Sequence, residues 1–225
     1  MTEFEVTTKD GYINTLFRIQ NHKKHKNRFN PDKPPLLLIH GGNDDIINEF
    51  FTTGRECSFG YALADAGFDL WGGNLRGSRF SRKHLTLDVT SQKYWDFTWD
   101  HNMDYDLPSF AEKVFEMTQK KMALVGYSKG SGIMLLGLSD PEFRSRVLPI
   151  VSAIHIISPG FYFKYSSPEY GIKAEVYAYI GGEVLQSAWD KRVGQNLLRE
   201  GWDHPYGLPR CLVVPEDLRQ ESEEY

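Results

Sequence analysis

Residues 121–132, KMALVGYSKGSG, place a serine between two glycines at a spacing of two: Gly126, Ser128 and Gly130. A β-type apolar run precedes the serine and a small-residue helix start follows. The pentapeptide therefore reads as a sharp strand-to-helix turn with Ser128 exposed at its tip, where there is no room for flanking side chains. Ser128 is the candidate nucleophile, but a serine hydroxyl alone is a poor one. It needs a histidine base, an acid to orient that base, and N–H donors for an oxyanion. By position, the donors are the backbone N–H groups of Lys129, directly after the serine, and of Gly42, in the HGG that follows the apolar run LLLI.

The base is harder to find. Enzymes with such a turn carry their triad in the order serine, acid, histidine, so His40, which precedes the serine, is expected to shape its loop instead. Only His155 and His204 follow Ser128. His155 lies inside VSAIHIIS and is expected to be a hydrogen-bonded core residue, because catalytic groups sit at strand ends. His204, in the turn-rich GWDHPYG beside Asp203, is the remaining candidate base, although sequence neighbours rarely orient each other as acid and base. No triad acid is identified.

The elements that must position these groups are legible from period and punctuation. Residues 3–19 alternate apolar and polar on both sides of Asp10-Gly11, which predicts a β-hairpin with a type I′ turn. LLLIH is too short for a helix and is bounded by turn residues, so it predicts a buried strand. A helical stretch near SFGYALADAG should end at Gly67 and lead into a second strand, FDLWGGN. An amphipathic helix fills much of 100–119, with Leu107, Phe110, Val114, Phe115 and Met117 on its apolar side. The elbow and the strand VSAIHIIS follow, giving the order of a mostly parallel, helix-covered sheet. Asn74 and Arg76 are expected to anchor a loop near the site without reacting. From Pro159 the chain becomes aromatic and glycine-interrupted, which reads as short helices and loops outside the sheet.

Composition bounds the function class. With 225 residues, 40% hydrophobic and 25% charged, the chain is an ordinary globular one. A formal net charge of −4 with interspersed signs argues against a nucleic-acid partner. Cys57 and Cys211 are too few for a disulfide framework and lack metal-ligand spacing. The first residues carry no apolar signal-peptide core, and no later stretch reaches membrane-span length, so the chain as written reads as cytoplasmic. HKKH near residue 22 reads as a solvated loop.

VTTKDGYI, LLLIHGG, ALADAGFDLWGGNLRGSRFSRKH, YWDFTWD, YDLP and VGYSKGSG stand in the order and spacing of the acid lipase family of gastric, lysosomal and sterol-ester lipases. Over about residues 4–160 the chain resembles that family. The resemblance implies an α/β fold with an α/β-hydrolase core over 1–158, the start of a helical cap over 159–225, and last core strands that are missing. It also implies a serine ester hydrolase that needs no cofactor and acts on triacylglycerol or steryl esters. A membrane or lipid-droplet surface would be its workplace, in a secreted, lysosomal or lipid-associated setting. Two positions depart from the family pattern, which usually has leucine at Gly42 and glutamine at Lys129. Both act through backbone N–H groups, but the lysine adds a cation beside the serine. In the family the triad acid and histidine lie beyond the cap, past Tyr225. Two alternatives follow: a non-catalytic truncated hydrolase that binds lipid or a protein partner, and a peptidase or other ester-directed hydrolase on the same fold. A sheet lacking its last strands would need its open edge covered, for which a second copy of the chain is the expected partner.

Overall fold

The computed structural model describes residues 1–20, 29–42, 44–54 and 57–160. It opens with the hairpin of β1 (Thr2–Thr7) and β2 (Tyr12–Ile19). The turn between them is not type I′. Only Gly11 has a positive φ, +96°, and its N–H bonds the Thr8 carbonyl at 3.0 Å. That pattern is a type I turn closed by a left-handed glycine. Side chains select it: the Thr8 hydroxyl lies 2.6 Å from an Asp10 carboxylate oxygen and accepts the Tyr12 N–H at 3.0 Å.

β3 (Leu36–Ile39) follows, then α1 (Ile46–Phe51), α2 (Phe59–Asp65) and β4 (Leu70–Gly73). α1 is an element that sequence periodicity did not reveal; Asp45 caps it, accepting the N–H groups of Ile47 at 2.9 Å and Asn48 at 3.0 Å. α2 stops as expected, with Gly67 at φ +84°. After the short β5 (Lys83–His84), the predicted long helix is a composite. α3 (Trp99–His101) passes through a π-helical turn at Asn102–Asp106 into α4 (Leu107–Thr118). Leu107, Phe110, Ala111 and Val114 form its buried face with Phe115 at the margin, whereas Met117 faces solvent. β6 (Met122–Tyr127), α5 (Lys129–Ser139), α6 (Pro141–Val147) and β7 (Val151–Ile157) complete the described part.

The strands form one sheet in the order β1-β2-β4-β3-β6-β7, with β5 paired to β2. The hairpin is antiparallel, and β4, β3, β6 and β7 run parallel. All four residues of β3 are buried and alternate between two cores. Leu37 and Ile39 join Trp71, Leu107, Phe110, Leu124 and Ile133 on one face, while Leu36 and Leu38 join Ile46, Phe50, Leu70 and Val125 on the other. This three-layer arrangement explains the unbroken apolar run. Gly72 and Gly73 let helices approach both faces: a Cβ would lie 2.5 Å from Ile46 Cγ2 at the first and 2.6 Å from Phe110 Cδ2 at the second.

β7 departs from expectation. It has one hydrogen-bonded neighbour among the described residues, and Ser152, Ala153 and His155 are exposed. His155, expected in a core, is exposed here, on a strand with one neighbour among the described residues.

Candidate active site

The parallel register pairs Ile39 with Gly126, so β3 and β6 end side by side and present their next residues to one place. Such crevices at the carboxyl ends of parallel strands are where α/β sheets bind ligands. From β6 comes Ser128, at φ 48° and ψ −110°. A non-glycine residue there carries strain of about 1–3 kcal/mol and must be held by its surroundings.

The holding contacts are specific. A Cβ on Gly126 would lie 2.6 Å from Ser131 N, and one on Gly130 would lie 2.5 Å from the Ile39 carbonyl oxygen and 2.9 Å from that of His40. Both flanking glycines thus let α5 press directly onto the strand ends. The Ser128 N–H bonds the Ile157 carbonyl at 3.0 Å, and the Ile157 N–H bonds Ser131 Oγ at 2.9 Å. The end of β7 therefore clamps the turn.

From β3 comes the loop His40-Gly41-Gly42. Gly41 is tight against the serine, since a Cβ on it would lie 3.3 Å from Ser128 Cβ and 3.1 Å from Glu49 Oε2. A Cβ on Gly42 would be 4.0 Å from Lys129 Cβ, so the loop lies over the first turn of α5. His40 is fully engaged: Nδ1 meets the Gly41 carbonyl at 2.7 Å and Nε2 accepts the Leu75 N–H at 3.0 Å. Nδ1 is thereby the protonated nitrogen, and burial, opposed by the Gly41 bond and reinforced by Lys129, lowers its pKa to about 4. His40 fastens the loop after β3 to the loop after β4.

That second loop has its own anchor. Asn74 Oδ1 accepts the Ile46 N–H at 3.2 Å, and its Nδ2 reaches the Thr15 carbonyl at 3.2 Å. The Arg76 side chain is fully buried and joins Asp106 at 2.8 Å and Asp10 at 2.6 Å. Asp106, itself fully buried, also accepts from Asn14 Nδ2 and Asn102 Nδ2, both at 2.8 Å. The network ties the hairpin turn, the β4 loop and the π turn together beneath the crevice.

Two acids near the serine, Glu49 and Asp44, carried no sequence signal as site residues, and Lys129, expected there as a cation, is desolvated. Glu49, on α1, reaches the Gly41 N–H at 3.4 Å; burial, then the neighbouring charge of Asp44, raises its pKa to about 7. Asp44 is raised as well, chiefly by burial. The Lys129 ammonium stands 5.7 Å from the Trp99 ring centroid, and burial lowers its pKa to about 8. Its stem lines a cavity of about 90 Å³ walled by His40, Asp44, Arg76, Trp95 and Phe97.

Ser128, Gly42 and Lys129 thus come together. The described histidines are His40, His84, His101 and His155, and no hydrogen bond joins any of them to the Ser128 hydroxyl. His204, the HKKH segment and nearly all of the expected cap lie outside the described residues. Among the described residues no three His, Cys, Asp or Glu side chains cluster to hold a metal, and no helix is long and apolar enough to cross a membrane.

Comparison with known proteins agrees with the geometry. A family model described as alpha/beta hydrolase fold matches residues 34–172, and one described as a partial alpha/beta-hydrolase lipase region matches residues 1–42. The lysosomal acid lipase/cholesteryl ester hydrolase of Homo sapiens is 38% identical over 165 residues, 70% of this chain and 41% of that protein. Triacylglycerol lipase 1 of Arabidopsis thaliana is 34% identical over 166 residues, 70% of this chain and 40% of that protein. An esterase structure from Pyrococcus furiosus superposes with a TM-score of 0.48 at 15% identity, covering 76% of this chain and 57% of that one. The chain spans about two fifths of the length of the curated relatives it matches, at 40 and 41% in these two.

Proposed function

The chain belongs to the α/β-hydrolase fold family, and from that premise we infer that it is part of a lipase that hydrolyses carboxylic esters, triacylglycerols or steryl esters, through an acyl-enzyme on Ser128. The observation that carries this reading is the held, positive-φ conformation of Ser128 between glycines that admit no side chain. The lipase names of the relatives supply the substrate class.

In the proposed reaction Ser128 Oγ attacks the ester carbonyl as a base takes its proton. The tetrahedral oxyanion lies against the N–H groups of Gly42 and Lys129 at the start of α5. Collapse expels the alcohol, which takes up the proton from that base, and water then releases the fatty acid by the same steps. Water is the only co-reactant, so the chemistry balances without a cofactor. None of the four described histidines bonds the Ser128 hydroxyl, and His204, the candidate base, lies outside the described residues. A lipid or droplet surface suits such a substrate, and the open side of β7 is where further strands or a second copy of the chain would pair.

A second reading, a non-catalytic lipid- or partner-binding chain, is favoured by one observation: the Ser128 hydroxyl has no histidine partner among the described residues. Hydrolysis of a short-chain p-nitrophenyl ester by the chain and by Ser128→Ala, from acid to neutral pH, separates the two. Loss of turnover by about 10³-fold or more in the variant supports the acyl-enzyme. Equal rates in both eliminate it for this chain.

A further inference from the structure

The loop that presents Gly42 is fastened through the residue before it. The Gly41 carbonyl and the Gly42 N–H belong to one peptide plane, and in a trans peptide they point opposite ways. The bond between that carbonyl and His40 Nδ1, at 2.7 Å, therefore sets the direction of the Gly42 N–H. Glu49 holds the preceding peptide. The Gly41 N–H donates to Glu49 Oε2 at 3.4 Å, and a Cβ on Gly41 would lie 3.1 Å from that oxygen. The same Cβ would lie 3.3 Å from Ser128 Cβ, so the Glu49 carboxyl is within two contact distances of the nucleophile.

Glu49 is also tied from behind. Its carboxyl group shares a hydrogen bond with that of Asp44, and two carboxyl groups can do so only while one of them carries a proton. Asp44 accepts the Asp45 N–H at 2.8 Å and bonds the Asn48 side chain, contacts that favour its ionised form. The shared proton therefore belongs to Glu49. The other titratable groups around the pair have partners of their own. Asp45 is held by Arg79 at 3.3 Å, and His40 is neutral with both ring nitrogens bonded. The Tyr127 ring would be 3.4 Å from a Cβ on Gly41, and Lys129, on another wall of the cavity that Asp44 lines, carries its ammonium over the Trp99 ring.

We propose that Glu49 is a positioning residue for ester hydrolysis: as a protonated acid tied to Asp44, it holds the Gly41 N–H and with it the loop that aims the Gly42 N–H at the oxyanion. The proposal rests on the ester-hydrolase reading, whose oxyanion this loop serves. The held proton has a second effect, because a carboxylate this close to Ser128 would repel the oxyanion forming there, whereas the neutral acid does not. Loss of the proton leaves two carboxylates side by side, which removes their hydrogen bond and brings that repulsion to the site.

The first readouts are independent of turnover. In proton–nitrogen NMR spectra of the full chain from pH 5 to 9, the Gly41 amide resonance should follow one titration with its midpoint at about 7, where burial and then Asp44 place the ionisation of Glu49. Glu49→Gln, which can donate to Asp44 and accept from Gly41 without titrating, should flatten that curve and keep the Gly41 amide protected from hydrogen exchange. Glu49→Ala should speed that exchange about tenfold. Ser128→Ala should titrate as the unaltered chain does, so these results stand even if the acyl-enzyme reading fails. In ester hydrolysis, Glu49→Ala should lower kcat about tenfold with KM little changed, and Glu49→Gln should restore it. A Gly41 resonance that is flat from pH 5 to 9, one that titrates equally in Glu49→Gln, or a folded Glu49→Ala variant with unchanged Gly41 exchange or unchanged kcat overturns the proposal.

Discussion

Replacing Asp106 by asparagine tests whether the ion network beneath the crevice holds the site together. One Asp106 oxygen accepts Asn14 Nδ2 at 2.8 Å, Arg76 Nε at 2.9 Å and Arg76 Nη2 at 2.8 Å. The other accepts the Arg76 N–H at 3.1 Å and Asn102 Nδ2 at 2.8 Å. Whichever way the new amide turns, its NH2 group faces at least two donors, and the buried Arg76 guanidinium loses its buried counter-charge. Breaking a buried pair costs about 3–5 kcal/mol, with the lower end expected because Asp10 still holds Arg76. For a chain of this size that is a fall of about 6–20 °C in Tm. Asp10→Asn is the internal control. Its side chain is 23% exposed, so the same bond chemistry should cost only about 1–2 kcal/mol. Urea denaturation followed by circular dichroism gives both values. A loss below about 1 kcal/mol for Asp106→Asn, or a larger loss for Asp10→Asn, would refute the assignment of the network to site support.

Glu49 makes a prediction about pH. Its folded pKa is raised to about 7 by burial and by Asp44, so between roughly pH 4.5 and 7 the folded chain holds a proton that the unfolded chain has released. Stability must therefore fall as pH rises through that window, and Glu49→Gln should flatten the fall while raising stability at pH 7; an unchanged pH profile of urea midpoints would count against it. Ser128→Gly should raise stability by about 1 kcal/mol by relieving the left-handed backbone strain, net of the extra chain entropy, and Ser128→Ala should leave it unchanged. Thermal melts of the two variants that coincide would show that the turn is not strained.

The parts of this molecule that were legible in sequence are those written in local periodicity. The alternating residues on either side of Asp10-Gly11, the apolar run at Leu36–Ile39 and the glycines around Ser128 each depend on neighbours a few positions away. The turn type at Asp10 was misread because Asp10-Gly11 was taken as the central pair, whereas the Thr8 hydroxyl, bonded to Asp10 and to the Tyr12 N–H, shifts the turn so that Gly11 closes it. α1 was missed because a helix of six residues is too short to show a period, and its Asp45 cap sits in a run of polar residues. The exposure of His155 was not legible because the sequence marks a strand without marking which side of it is covered.

Glu49 and Asp44, and the desolvation of Lys129, share a cause of invisibility that bears on how the crevice works. Each owes its perturbation to burial against residues brought by other strands, and composition cannot reveal that a charge has been desolvated. Burial pushes the two acids and the lysine alike toward their neutral forms, so the charge near the serine is smaller in magnitude than the residue types alone would suggest. An oxyanion forming at Ser128 would then be stabilised chiefly by fixed N–H dipoles. Only interactions that act more strongly on the transition state than on the bound ester accelerate hydrolysis. Backbone N–H groups fixed by the strained turn are suited to that task.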